Sequence, residues 1–136
     1  MDLDAARTFA RTHSRAVLTT RKRDGDPQLS PVLVAVDEAG RLVVSSRETA
    51  YKVKNARRDP RVSLCVLSEG FFGDWAQLDG TVEVVPLPEA MELLVDYYRQ
   101  LSGEHPDWDD YRAAMEREQR CVLRVTLTSA GPDRAG

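Results

Sequence analysis

Leu42-Val43-Val44-Ser45-Ser46-Arg47-Glu48-Thr49-Ala50-Tyr51-Lys52-Val53-Lys54-Asn55-Ala56-Arg57-Arg58-Asp59-Pro60-Arg61 reads as a buried strand, a polar turn and a short basic helix stopped by proline. The strand spans Arg41 to Ser46 and the helix roughly Thr49 to Arg58. Asp59-Pro60 ends the helix, because the residue before a proline avoids helical angles. Hydroxyls, helix N-terminal amides and cations converge here, a combination that suits a phosphate group. Ser45 and Ser46 leave the strand, Arg47 lies in the turn, and Lys52 and Asn55 share a helix face because they are three apart. Arg57 and Arg58 complement the dipole at the helix C-terminus and are expected to be solvated or paired with Asp59 rather than to bind a ligand. The competing reading is a solvated basic face, since charge runs usually face water.

On both sides of this segment the chain alternates strands with tight turns. Upstream, residues 2–13 suit an amphipathic helix with Leu3, Ala6, Phe9 and Ala10 on one side. Ala16–Thr20 reads as a strand, Arg23-Asp24-Gly25-Asp26-Pro27 as a hairpin turn, and Gln28–Val36 as the returning strand. Pro31 places that strand at a sheet edge or a bulge. Downstream, Val62–Leu67 and Trp75–Val85 read as strands, the second interrupted at Asp79-Gly80. A helix over Glu89–Leu101 stops at Ser102-Gly103, and a shorter one over Asp107–Glu118 carries Asp107 as its N-cap. Val122–Leu127 closes the sheet, and residues 128–136 are expected to form a loose tail. About six strands linked by hairpins predict a single domain over 1–136. Its fold is mainly β, an antiparallel barrel with peripheral α-helices rather than a doubly wound sheet.

The chain has 136 residues, enough for one core without disulfides or metal. It holds 19 Lys/Arg against 22 Asp/Glu, a formal net charge of −3. Arg47–Arg61 holds six basic and two acidic residues, so this segment carries +4 and the remainder −7. That balance argues against a general nucleic-acid or anionic-membrane surface. Cys65 and Cys121 lie in separate apolar strands and His13 and His105 are isolated, so no metal site is expected. Two buried free thiols fit a cytoplasmic protein. No stretch reaches the ~20 apolar residues of a membrane span, and the N-terminus has no apolar signal core.

Three further segments could carry chemistry. Gln28, Ser30 and Val32 alternate along one strand face and could hydrogen-bond and pack on a flat heteroaromatic ring; an ordinary exposed strand face is the alternative. Trp75 and the loop Gly70-Phe71-Phe72-Gly73-Asp74 could cover a ligand, form a subunit contact or cap a barrel end. His105, beside Glu104 and Asp107, has no Ser or Cys motif with it and reads as a surface-turn histidine, so no catalytic residue is assigned. The chain lacks G-x-G-x-x-G, a Walker loop and G-x-S-x-G, so an enzyme built on it would take its chemistry from a bound cofactor.

The Ala16–Thr20 strand, Asp24-Gly25-Asp26-Pro27-Gln28-Leu29-Ser30-Pro31-Val32, Val44-Ser45 and Lys52-Val53-Lys54-Asn55-Ala56-Arg57-Arg58-Asp59-Pro60-Arg61-Val62 occur in an order that resembles the pyridoxamine 5′-phosphate oxidase-like split β-barrel family. Tyr98-Arg99, Gly103-Glu104-His105, Trp108-Asp109-Asp110-Tyr111-Arg112 and Met115 resemble, more narrowly, its actinobacterial F420-dependent oxidoreductase branch. The resemblance covers nearly the whole chain. It implies an FMN-binding split barrel of Greek-key antiparallel strands, and a homodimer with cofactor sites at the subunit interface. The implied cofactor is coenzyme F420, a deazaflavin, with FMN as the alternative. The implied activity is hydride transfer from reduced F420 to an electron-poor acceptor such as an enone or quinone. An FMN flavoprotein and a non-catalytic F420 carrier are the other readings. By resemblance, Lys52 and Asn55 hold the cofactor phosphate with Val44, Ser45 and Ser46 beside them. Gln28, Ser30 and Val32 line the ring, Thr20 stands at the same wall, and Trp75 reaches the partner's site. Where several relatives have a second basic residue two positions before the lysine, this chain has Ala50, and Arg47 is the expected substitute.

Overall fold

In the computed structural model, which describes residues 1–133, the chain folds as one seven-stranded antiparallel sheet with four helices. The elements in chain order are α1 (Leu3–Thr12), β1 (Arg15–Arg21), β2 (Pro27–Leu33), β3 (Ala35–Val36), β4 (Leu42–Arg47), α2 (Tyr51–Arg58), β5 (Arg61–Leu67), β6 (Trp75–Val85), α3 (Ala90–Ser102), α4 (Trp108–Arg117) and β7 (Arg120–Gly131). Strands neighbour one another in the order β2-β1-β5-β6-β7-β4-β3, and the sheet curls into a half-barrel.

The two edges of this sheet follow from local chemistry. Asp24-Gly25 closes the β1–β2 hairpin, with Gly25 at φ 89° and Lys22 N–H donating to the Asp26 carbonyl. Pro31 lies opposite Val17 on β2, the outermost strand, where its missing N–H leaves no ladder bond unmade. The expected Gln28–Val36 strand is divided at Val34: its N–H still donates to the Ser14 carbonyl in line with the β1–β2 register, whereas Ala35 and Val36 pair with Val43 and Leu42 of β4 at the opposite edge. At that edge the Gln100 amide from α3 exchanges two hydrogen bonds with the Val36 backbone, of 2.7 and 2.8 Å, in place of a further strand.

Two apolar clusters flank the sheet. Inside the curl, Leu18, Leu42, Val44, Leu64, Val66, Leu78, Leu123 and Val125 pack against Ala6 and Ala10 of α1 and Val53 and Ala56 of α2. Outside it, Val43 and Val122 pack under Ala90, Leu94 and Val95 of α3 and Tyr111 and Met115 of α4. β4 and β7 are therefore covered on both faces, which is why Leu42-Val43-Val44 and Cys121-Val122-Leu123 are apolar without alternation. Among the described residues no helix covers the outer face of β1, β2, β5 and the start of β6, and there Leu29, Leu33 and Trp75 are exposed.

Residues 128–131 correct the expected loose tail. Ser129, Ala130 and Gly131 pair with Asp79, Leu78 and Gln77, so β7 extends well past Leu127. Residues 134–136 of that expected tail lie outside the described residues. The interruption expected at Asp79-Gly80 is a shift in the β6–β7 register within a continuous strand. At Gly80 a Cβ would stand 2.2 Å from the Thr126 carbonyl oxygen, so the two backbones approach as closely as they do only because no side chain is there.

Candidate functional site

α2 forms because Asp59 and Pro60 stop it and because Val53 and Ala56 bury against the barrel. It runs over the end of the β1–β2 hairpin, where its buried face meets inward-facing side chains of both strands. Asn55, 5% exposed, is the contact point. Its Nδ2 donates to the Gln28 Oε1 at 2.8 Å and to the Thr20 Oγ1 at 3.2 Å, and its Oδ1 accepts from the Arg58 guanidinium at 2.8 Å. Arg58 also donates to the Arg21 carbonyl at 2.9 Å. Beyond Gln28 the half-buried Ser30 and Val32 continue the same strand face, while Leu29, Pro31 and Leu33 point the other way.

Ion pairing sorts the cations of the basic segment. Arg57 makes a two-pronged contact with Glu48, at 2.6 and 3.0 Å. Arg61 grips Asp59, and that hydrogen bond holds the carboxyl down at about 2. Asp59 is thus committed to Arg61 and is no partner for Arg57 or Arg58. Arg47 turns to Glu118 at the end of α4, which Arg120 also holds. Lys52, Lys54 and Arg58 have no carboxylate partner among the described residues; Lys54 is exposed and lies over the Tyr51 ring, whereas Lys52 is half-buried. Lys52, Asn55 and Arg58 follow one another at three-residue spacing, so this face of the helix presents two of those cations on either side of a buried amide.

The structure does not bring all the expected ligands together. Ser45 and Ser46 point to opposite faces of β4: Ser45 lies opposite Val122 on the outer, α3-covered side, and Ser46 opposite Cys121 inside. They cannot both hold one phosphate. Ser46 is 2% exposed and donates to the Arg47 carbonyl, and Val44 is a core residue. Thr20 is fully buried, so it supports the Gln28 wall from behind instead of lining it. The guanidinium of Arg47 is engaged by Glu118, away from its expected role as a second phosphate cation. Trp75 lies on the outer face opposite Leu67, so within one chain it does not share a surface with the inward-facing Gln28. Arg58, expected to be solvated or paired with Asp59, instead bonds Asn55; its three-residue spacing from Asn55 is the signal for this in the sequence.

Other features serve the fold. The His105 Nδ1 accepts from the Asp107 N–H at 2.9 Å, and its ring packs among Tyr98, Trp108 and Tyr111. Burial, with Glu48 nearby, pushes the Cys121 thiol up to about 11. A cleft of about 420 Å³ between α3 and the β3–β4 turn is lined by Val36, Asp37, Arg41, Tyr97 and Gln100 among others, and by none of the expected cofactor residues. No helix of the described residues is long and apolar enough to cross a membrane.

The sequence model of the pyridoxamine 5′-phosphate oxidase family matches residues 3–131. The chain belongs to that family. Its split barrel is also found in solved structures. A conserved hypothetical protein of Mycobacterium tuberculosis is similar at 25% identity, with a TM-score of 0.77 over 96% of this chain and 82% of that one. An F420 reductase is similar in fold at 20% identity, with a TM-score of 0.71 over 91% and 94% of the two chains. A FAD-binding protein of Mesorhizobium loti gives 18% identity and a TM-score of 0.67 over 96% and 90%. The fold family thus includes oxidoreductases and proteins of flavin-type cofactors.

Proposed function

We propose that this family member is an F420-dependent reductase that binds its cofactor between the Lys52–Asn55–Arg58 face of α2 and the Gln28–Ser30–Val32 face of β2. The observation that carries the reading is the pair of cations, Lys52 and Arg58, left without carboxylate partners among the described residues beside a half-buried wall of Gln28, Ser30 and Val32. A ribityl phosphate needs cations not already neutralised, and a flavin-type ring needs donors for its carbonyls and an apolar face to pack on. Lys52 and Arg58 meet the first need, and Gln28, Ser30 and Val32 the second, so the donor set fits the group.

The chemistry supplied when reduced F420 is bound is hydride transfer to an electron-poor small-molecule acceptor. The chain's own part is to bind and position. Lys52 and Arg58 attract and hold the phosphate. Gln28 and Ser30 fix the ring in its plane by hydrogen bonds, and Val32 keeps water from one of its faces.

A homodimer completes the arrangement. The uncovered outer face carries Leu29, Leu33 and Trp75 next to the loop of Phe71 and Phe72, which are 86% and 96% exposed. So much exposed apolar surface suits a second copy of the chain better than water. Trp75 would then approach the partner's cofactor wall.

Fluorescence titration of the purified protein with F420 and with FMN tests the reading. Tighter binding of F420, with turnover of an enone or quinone, is the expected result. Preference for FMN would make it a flavoprotein of the same fold, F420 binding without turnover would favour a carrier, and binding of neither would refute the site.

A further inference from the structure

The hydrogen bonds around Asn55 run in one direction. A guanidinium can only donate, so Arg58, already fixed by the Arg21 carbonyl, must meet the oxygen of the Asn55 amide. That fixes the nitrogen end of Asn55 on the opposite side, against Gln28 and Thr20. Both N–H groups of that nitrogen are then used, one on each partner. Gln28 must answer with its oxygen, and its own nitrogen is left pointing away from the cluster, with no partner among the described residues. Turning the Asn55 amide over would set its N–H groups against those of Arg58 inside a nearly closed contact, so the orientation is locked.

We infer that Asn55 is a positioning residue rather than a phosphate ligand: with Arg58 it fixes the Gln28 amide so that Gln28 presents N–H donors, and thereby selects ligands carrying a ring carbonyl or another acceptor at that point. The inference rests on the cofactor reading above, and it changes the role of one residue in that reading. Asn55 has no free hydrogen-bonding N–H for a phosphate, because both are committed to the wall. The phosphate then falls to Lys52 and to the remaining N–H groups of Arg58.

Paired ligands with and without the phosphate separate the two roles. Riboflavin and FMN are titrated in parallel with the phosphate-free deazaflavin and F420, against wild type, Asn55→Leu, Gln28→Met, the double variant and Lys52→Ala. A thermal melt checks each variant for folding. Asn55→Leu keeps the bulk and adds no charge beside Lys52 and Arg58, but it cannot donate to Gln28. It is expected to weaken the phosphorylated and phosphate-free ligands by the same factor, roughly three- to tenfold, the worth of one neutral hydrogen bond. Gln28→Met offers no N–H, so it should match that loss, and the double variant should add little to it. Lys52→Ala should instead penalise only the phosphorylated ligand. An Asn55→Leu loss confined to the phosphorylated ligands would make Asn55 a phosphate ligand and overturn the inference, as would full additivity with Gln28→Met. Should Asn55→Leu fail to fold, Asn55→Ser takes its place under the same criteria. Wild type that binds no ligand of either pair overturns the cofactor reading, and the inference with it.

Discussion

Lys52→Ala is the sharpest test of the phosphate assignment, because the structure separates its effect on binding from its effect on stability. The Lys52 ammonium has no carboxylate partner among the described residues, so its removal breaks no ion pair in the free protein. Alanine is also a better helix former, and the folded state should change by less than about 0.5 kcal/mol. In the complex the lysine would make a charge-assisted hydrogen bond to the phosphate, worth about 1.5–3 kcal/mol. That converts to a rise in Kd of roughly 10- to 150-fold. The gap should narrow as salt rises past physiological strength, where the screening length is about 8 Å. Arg57→Ala is the control, of equal charge change on the same helix, but with a guanidinium held by Glu48. Its expected cost is up to about 1 kcal/mol of stability with unchanged affinity. The assay is a fluorescence titration at two salt concentrations beside a thermal melt. Wild-type affinity in Lys52→Ala, or equal losses in both variants, would show that the segment acts as a diffuse basic surface and that the assignment of Lys52 is wrong.

Other consequences are equally open to measurement. Gly80→Ala should destabilise by about 1–3 kcal/mol, because the added Cβ meets backbone at Thr126 that cannot swing aside; a thermal midpoint equal to wild type would contradict the tight β6–β7 crossing. Asp79 is partly desolvated, which raises its carboxyl, but hydrogen bonds from Gln77, Ser63 and Ser129 outweigh that and leave it below its ordinary value. Its folded value being depressed, its stabilising effect is present above the unfolded carboxylate value of ~3.9 and is lost as pH falls through the folded one. Asp79→Asn should therefore melt lower at neutral pH and approach wild type in acid, and a constant difference across an acid titration would count against this. Light scattering should give about twice the 15.2 kDa chain mass for wild type, and the single-chain mass once Leu29 and Leu33 are both changed to glutamate; a monomeric wild type would remove the proposed interface.

Much of this protein is written in local sequence. Asp24-Gly25 makes the first hairpin, Pro31 confines its strand to an edge, Asp59-Pro60 stops the basic helix and Asp107 caps α4 through the Asp110 N–H. Each works through a few adjacent residues, by fixed φ, a missing donor or a nearby acceptor, so neighbours in the chain suffice to read it. The local excess of charge between Arg47 and Arg61 is legible in the same way. What the tertiary structure alone decided is which of those charges stay free and which polar groups face a ligand. Arg47 is drawn to Glu118 and Arg57 to Glu48, whereas Arg58 is held at Asn55 without a countercharge among the described residues. Asn55 reaches Thr20 and Gln28 across 35 and 27 residues of chain, and Ser129 finds Asp79 across 50, turning an expected tail into sheet. Such contacts depend on how the strands are ordered in the barrel. Hydrogen bonds and ion pairs form within about 3 Å, a distance that strand order sets and sequence spacing does not.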